Sequence, residues 1–269
     1  MQALESRALK SGTAGFLGAT QLQPIFTPEP VVNTPTVRLS NGELRVTGTS
    51  GMDSVEVKVH DRMFLTPFLA FKDVVELKVN GSVSLYPNSI VTSLRISTLG
   101  GNDSVRVDSF SARALDNIRI DTGHGLSERV QISGLNARNL SITSGGQSRN
   151  EIGVYSSSIG GTLSIDTSSS QYWFAGRYLT LGGNTARDGI FLSGSTIRQQ
   201  AIQTGAGNDV LTYTQTTALY GLVDLGDGDD RLDAQSSNLW EGTYLGGNGE
   251  DTFNSVQTWH ACATLRFEW

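Results

Sequence analysis

A single cysteine, Cys262, excludes an intrachain disulfide and any site built from several thiolates. Proline is nearly confined to the start of the chain, where Pro24, Pro28, Pro30 and Pro35 account for four of the six. No apolar run approaches the ~20 residues of a membrane-spanning helix, and no stretch keeps a helical period. The N-terminus lacks a clear charged-then-apolar signal peptide, since Phe16 and Leu17 sit among Gly, Thr and Ser. Charge is sparse at 17%, lysine is scarce beside arginine, and the net charge is −6. Asp227, Asp229, Asp230 and Asp233 crowd one short stretch. That balance argues against a nucleic-acid partner and for cations. His60, His124 and His260 are too scattered for a zinc site.

What the chain does have is glycine, 31 residues of it, among abundant Ser, Thr and Asn. This composition suits turn-dense β structure. Residues 1–36 show no periodicity and read as a leader or flexible linker. From Val37 the pattern alternates. Asn41-Gly42 and Asn80-Gly81, each between apolar-alternating runs, signal tight hairpins within an N-terminal region, 37–92. An excursion over about 61–70 is expected to interrupt the stack there. From residue 93 four runs share one pattern: Leu94-Arg95-Ile96-Ser97, Ile118-Arg119-Ile120-Asp121, Leu140-Ser141-Ile142-Thr143 and Leu163-Ser164-Ile165-Asp166. The turns at T-G-H-G-L-S-E-R-V and S-G-G-Q-S-R-N-E-I lack a terminal Asp, and T-S-S-S-Q-Y-W-F marks a short, degenerate coil. There Tyr172-Trp173-Phe174 reads as a local apolar plug. Residues 259–269 break the pattern and read as a cap or tail.

Asp188, Asp209, Asp230 and Asp251 recur at a spacing of 21 residues, each followed two residues later by an apolar side chain: Ile190, Leu211, Leu232 and Phe253. A fixed period near 20–25 residues is the signature of a solenoid. The fold class expected is therefore all-β, a parallel β-helix with coils of ~21–24 residues over 93–258. Stacking would line up the acids about 4.8 Å apart. Like charges that close repel unless a cation sits between them.

The turns at 204–212, 225–233 and 246–254 resemble the haemolysin-type (RTX) calcium-binding nonapeptide, G-G-x-G-x-D-x-U-x. The middle glycines match at Gly205 and Gly207, Gly226 and Gly228, Gly247 and Gly249; the aspartate matches at Asp209, Asp230 and Asp251. The first glycine matches only at Gly246, Thr204 and Leu225 standing in its place elsewhere. The resemblance implies Ca²⁺ held by turn carbonyls and carboxylates, with Asn208, Asp227 and Asp229 nearby, and glycine supplying the positive φ such turns need. Unlike tandem nonapeptide rolls, this chain has one such turn per coil, so at most one edge carries ions. Asp53 and Asp103 sit in shortened turns and are weaker candidates. N-G-E-L-R-V-T-G-T-S-G-M-D-S-V, and Leu4-Glu5-Ser6-Arg7-Ala8-Leu9 near the start, resemble exported repeat proteins of planctomycete bacteria. That resemblance implies an extracellular or cell-surface module, with a cell-surface polysaccharide or protein as partner.

The function expected is a non-enzymatic, calcium-stabilised surface, adhesive or structural module. The alternatives are a calcium-dependent polysaccharide lyase or hydrolase, for which Arg129, Arg149 and Arg187 could share one face, and a metal-free structural solenoid.

Overall fold

A computed structural model describes residues 32–66, 69–145, 149–174, 177–183, 186–259 and 264–267, with side chains described except over 62–72 and 169–185. Most of the leader, the aromatic side chains of Tyr172-Trp173-Phe174, His260 and Cys262 lie outside the described residues. The chain forms a parallel β-solenoid with coils of about 22 residues, nearly all strand. Two ten-stranded sheets face each other across the core. In the first sheet, eight parallel strands follow one another: Glu43–Thr47, Ser93–Ser97, Leu115–His124, Asn136–Gly145, Ser158–Asp166, Thr196–Gln203, Thr217–Asp224 and Asn238–Leu245. Thr264–Arg266 continues this sheet in parallel beyond Thr243–Leu245. The second sheet stacks Ser54–Thr66, Ser104–Phe110, Ser127–Ser133, Arg149–Tyr155, Gly189–Ser193, Val210–Thr214, Arg231–Gln235 and Thr252–Val256.

Each coil is one strand of each sheet joined by a turn at either edge. Alternation makes this possible, because every second side chain points into the sandwich between the sheets. The inward positions stack like on like. Val46, Ile96, Ile120, Ile142, Ile165, Ile202 and Val223 form one buried column. Val55, Val105, Val130, Ile152, Ile190, Leu211 and Leu232 form another. One column changes chemistry midway: Leu163 is followed by Gln200, Gly221 and Gly242. The Tyr244 ring lies over Gly242 and the Gln200 side chain over Gly221. Tyr213 donates to Gln200 Oε1 at 2.8 Å, and Gln200 Nε2 donates to the Tyr244 hydroxyl at 3.0 Å. Buried polar groups are thus tied to one another.

Both expected hairpin turns are present, with Asn41 and Gly42 at φ 49° and 81°, and Asn80 and Gly81 at 48° and 88°. Two details differ from expectation. The excursion near 61–70 is part of an antiparallel extension of the second sheet, in which Leu69–Val79 pairs with Ser54–Thr66 and Ser82–Pro87 pairs with Leu69–Val79. The coil expected to be short is instead long. An antiparallel hairpin, Ser169–Phe174 with Arg177–Gly183, is inserted at its corner, so Asn150 and its stacked equivalent Asp188 lie 38 residues apart. The inserted hairpin hides the period from a reading of spacing alone.

Candidate metal centre

At the edge where the first sheet turns into the second, one position per coil builds a continuous polar column. Its members in stacking order are Asp53, Asp103, Glu128, Asn150, Asp188, Asp209, Asp230 and Asp251, and each is at least 97% buried. Six of the eight side chains reach back one coil. Asp103 Oδ1 accepts the N–H of Asp53 at 2.7 Å, and Glu128 Oε2 accepts that of Asp103 at 3.0 Å. Asp188, Asp209, Asp230 and Asp251 each present Oδ1 to the N–H of the preceding member at 2.7–3.0 Å. The turns that project them repeat closely. Gly205, Gly226 and Gly247 hold φ near 100°, and a Cβ on Gly226 or Gly247 would lie 1.7 Å from the carbonyl oxygen one coil below. Only glycine permits that stacking.

The second carboxyl oxygens are the unusual part. Asp103 Oδ2, Glu128 Oε1, Asp209 Oδ2, Asp230 Oδ2 and Asp251 Oδ2 are dry and lack a hydrogen-bond donor. The hydroxyls of Thr98 and Thr204 lie beside Asp103 and Asp209. Each already donates its one proton, to the carbonyls of Thr122 at 3.0 Å and Leu225 at 2.6 Å, so towards a carboxyl it can only accept. Burial accordingly pushes Asp103 up to about 6 and Asp188 and Asp230 to about 7, and raises Asp209. Burial, followed by the charge of Asp103, takes Glu128 to about 8. A desolvated carboxylate with an unmatched oxygen calls for a proton or a cation. Asp53 is the exception. Its Oδ2 receives the N–H of Thr49 at 2.6 Å and its Oδ1 the amide of Asn80 at 2.6 Å, from the Asn80-Gly81 turn.

Asp209, Asp230 and Asp251 are therefore brought together as expected. Asn208, Asp227 and Asp229 are not on the same face. They lie on the outer rim, where the N–H of Asp229 donates to Asn208 Oδ1 at 3.2 Å and the amide of Asn248 donates to Asp227 Oδ1 at 2.6 Å. Among the described residues, no three His, Cys, Asp or Glu side chains converge on a point that could hold a metal ion. The chemistry nonetheless fits an oxygen-ligated cation: the unmatched atoms of the column are all carboxyl oxygens. A Cβ at Gly246 would sit 2.2 Å from Asp251 Oδ2, so that turn is open to its carboxyl, whereas Thr204 and Leu225 bring side chains to the same position.

The opposite edge provides a comparison that sequence reading missed. Ser195, Thr216, Ser237 and Thr258 also recur every 21 residues, and their hydroxyls accept the N–H of the preceding member at 3.1–3.5 Å. A neutral hydroxyl suffices for this ladder. Sequence reading also missed Glu128 and Asn150, since one more residue in their turns shifts them off the five-residue spacing of Thr98 to Asp103. Of the arginines weighed for catalysis, Arg149 and Arg187 line a groove of about 340 Å³ with Glu151, Asp188, Arg231 and Asp233. Arg129 is instead paired with Glu151 at 2.6 Å. Among the described residues, no helix is long and apolar enough to cross a membrane. The chain matches no family model, no curated protein and no solved structure.

Proposed function

We propose that this chain is a calcium-stabilised structural module, non-enzymatic, displayed on the surface of an exported bacterial protein. One observation carries the calcium reading. The hydroxyl edge makes the same coil-to-coil hydrogen bonds without charge, while the other edge stacks carboxyls whose second oxygens go unmatched. Turn chemistry alone accounts for the first oxygen of Asp103, Glu128, Asp209, Asp230 and Asp251 and leaves the second unexplained. Asp209, Asp230 and Asp251, with carbonyls of the turns shaped by Gly205, Gly207, Gly226, Gly228, Gly247 and Gly249, would hold the ions. Asn208, Asp227 and Asp229 brace the outer rim. Calcium bound by the folded turns and not by the unfolded chain adds to stability in proportion to the logarithm of its concentration, so a calcium-rich exterior favours folding after export.

Thermal unfolding in EGTA and through a calcium titration, with magnesium as control, tests this. Calcium should raise the midpoint by several degrees, and the Asp209→Asn/Asp230→Asn/Asp251→Asn variant should lose that rise. A wild-type midpoint indifferent to calcium overturns the reading.

The groove of Arg149, Glu151, Arg187 and Asp233 favours a second reading, a polysaccharide lyase or hydrolase. Release of unsaturated or reducing sugars from acidic polysaccharides would establish it.

A further inference from the structure

On the outward face of the first sheet, strand register places four arginines side by side. Arg38 pairs with Arg45, Arg45 with Arg95, and Arg95 with Arg119, all exposed. Strands lie about 4.8 Å apart, so the row spans roughly 14 Å. Beyond Arg119 the same row continues as Ser141, Ser164 and Ala201, without charge. Like charges directly opposite one another on a sheet are destabilising, and this chain is acidic overall. The second sheet is arranged otherwise. Four of its outward cations are matched: Lys58 with Glu56 at 2.8 Å, Arg106 with Asp108 at 2.7 Å, Arg129 with Glu151 at 2.6 Å, and Arg231 with Asp233. In the arginine row only Arg45 has a partner, Glu43, at 2.7 Å; among the described residues Arg38, Arg95 and Arg119 make no ion pair.

We propose that this row is a binding site for an acidic polysaccharide, a linear glycan bearing carboxylate or sulfate groups. Guanidinium forks pair bidentately with planar carboxylates and with sulfate oxygens, and a straight file of them suits an extended chain with a repeating anion. The flanking row has the chemistry of sugar hydroxyl recognition, with Ser40, Glu43, Ser93 and Asn117 in register beside the arginines. Where the file begins, an open groove of about 540 Å³ is lined by Arg38, Ser40, Asn41, Glu43, Arg45 and Ser93. Across the four arginine-bearing strands neither row carries an aromatic ring on which nucleic-acid bases could stack. The same face therefore suits a glycan better than a single-stranded nucleic acid. The row lies on a sheet face, apart from the carboxyl column at the edge, and the inference does not depend on calcium.

The test measures binding of dextran sulfate, polygalacturonate, neutral dextran and DNA at low salt, in buffer where circular dichroism shows the chain folded. Dextran sulfate or polygalacturonate should bind, separating a sulfate from a carboxylate preference, and binding should weaken as salt rises. Arg38→Gln/Arg95→Gln/Arg119→Gln should weaken it about tenfold or more, with Lys58→Gln/Arg106→Gln on the second sheet leaving it unchanged. Equal binding by both variants, no binding of either polyanion, or tighter binding of DNA overturns the proposal. None of these outcomes bears on the calcium titration, so the two readings stand or fall separately.

Discussion

Glu128 is the clearest case of a residue whose surroundings set its protonation. Its Oε2 has a backbone partner, its Oε1 has none, and burial beside Asp103 pushes it up to about 8. A carboxyl that binds its proton more tightly in the folded chain than in the unfolded one stabilises the fold fully below its ordinary value of 4.5. That contribution is lost as pH rises through the folded value. In EGTA, the unfolding midpoint should therefore fall between pH 5 and pH 8. Glu128→Gln keeps an oxygen for the N–H of Asp103 and removes the titration. It should flatten the fall and be worth on the order of 2 kcal/mol at pH 8, read from chemical denaturation at the two pH values. The hydroxyl edge has its own residue-scale test. Thr216 Oγ1 accepts the N–H of Ser195 and donates to carbonyl oxygen, so Thr216→Ala should cost about 1–2 kcal/mol with no dependence on pH or calcium.

At the scale of elements, much was legible in the sequence and the gaps have physical causes. The two Asn-Gly hairpins could be placed because a tight turn demands residues that adopt positive φ, and Asn and Gly occupy both. The coils after Asp188 could be placed because their acid, turn glycines and apolar positions all repeat at 21. The carboxyl column was legible at Asp209, Asp230 and Asp251, yet Glu128 and Asn150 were passed over, because a longer turn puts a different residue type at the same stacked position. The hydroxyl ladder was in plain sight at Ser195, Thr216, Ser237 and Thr258, but Ser and Thr are so common in this chain that their period carries little contrast. The arginine row could not be found by spacing at all. Arg38 belongs to an antiparallel edge strand and Arg45 and Arg95 are separated by the antiparallel extension of the second sheet, so only pairing brings them together.

At the scale of the whole molecule, each coil pairs along the sheets only with its neighbours, with Gln200 to Tyr244 a tie across two coils, so stability is close to a sum of local terms rather than the property of one closed core. A ligand at one end then protects that end first. Calcium should slow amide hydrogen exchange most in the coils from Val210 to Val256, whose turns carry the matched nonapeptides. It should change the strands Ser54–Thr66 and Ser104–Phe110 least, because Asp53 already has its oxygens matched by Thr49 and Asn80. Uniform protection along the chain would mean that calcium acts on something other than the turns.

The inserted hairpin Ser169–Gly183 leaves the stack at a corner, and Asp188 still meets Asn150 in register after a gap of 38 residues. Length is thus free at the corners and fixed along the sheets. One extra residue within a strand would turn every later side chain of that strand to the opposite face, exposing its core positions and burying its charges. A whole coil or a corner loop disturbs neither face. The solenoid can therefore lengthen or acquire new surface loops without renegotiating its interior, a freedom that a closed globular core does not offer.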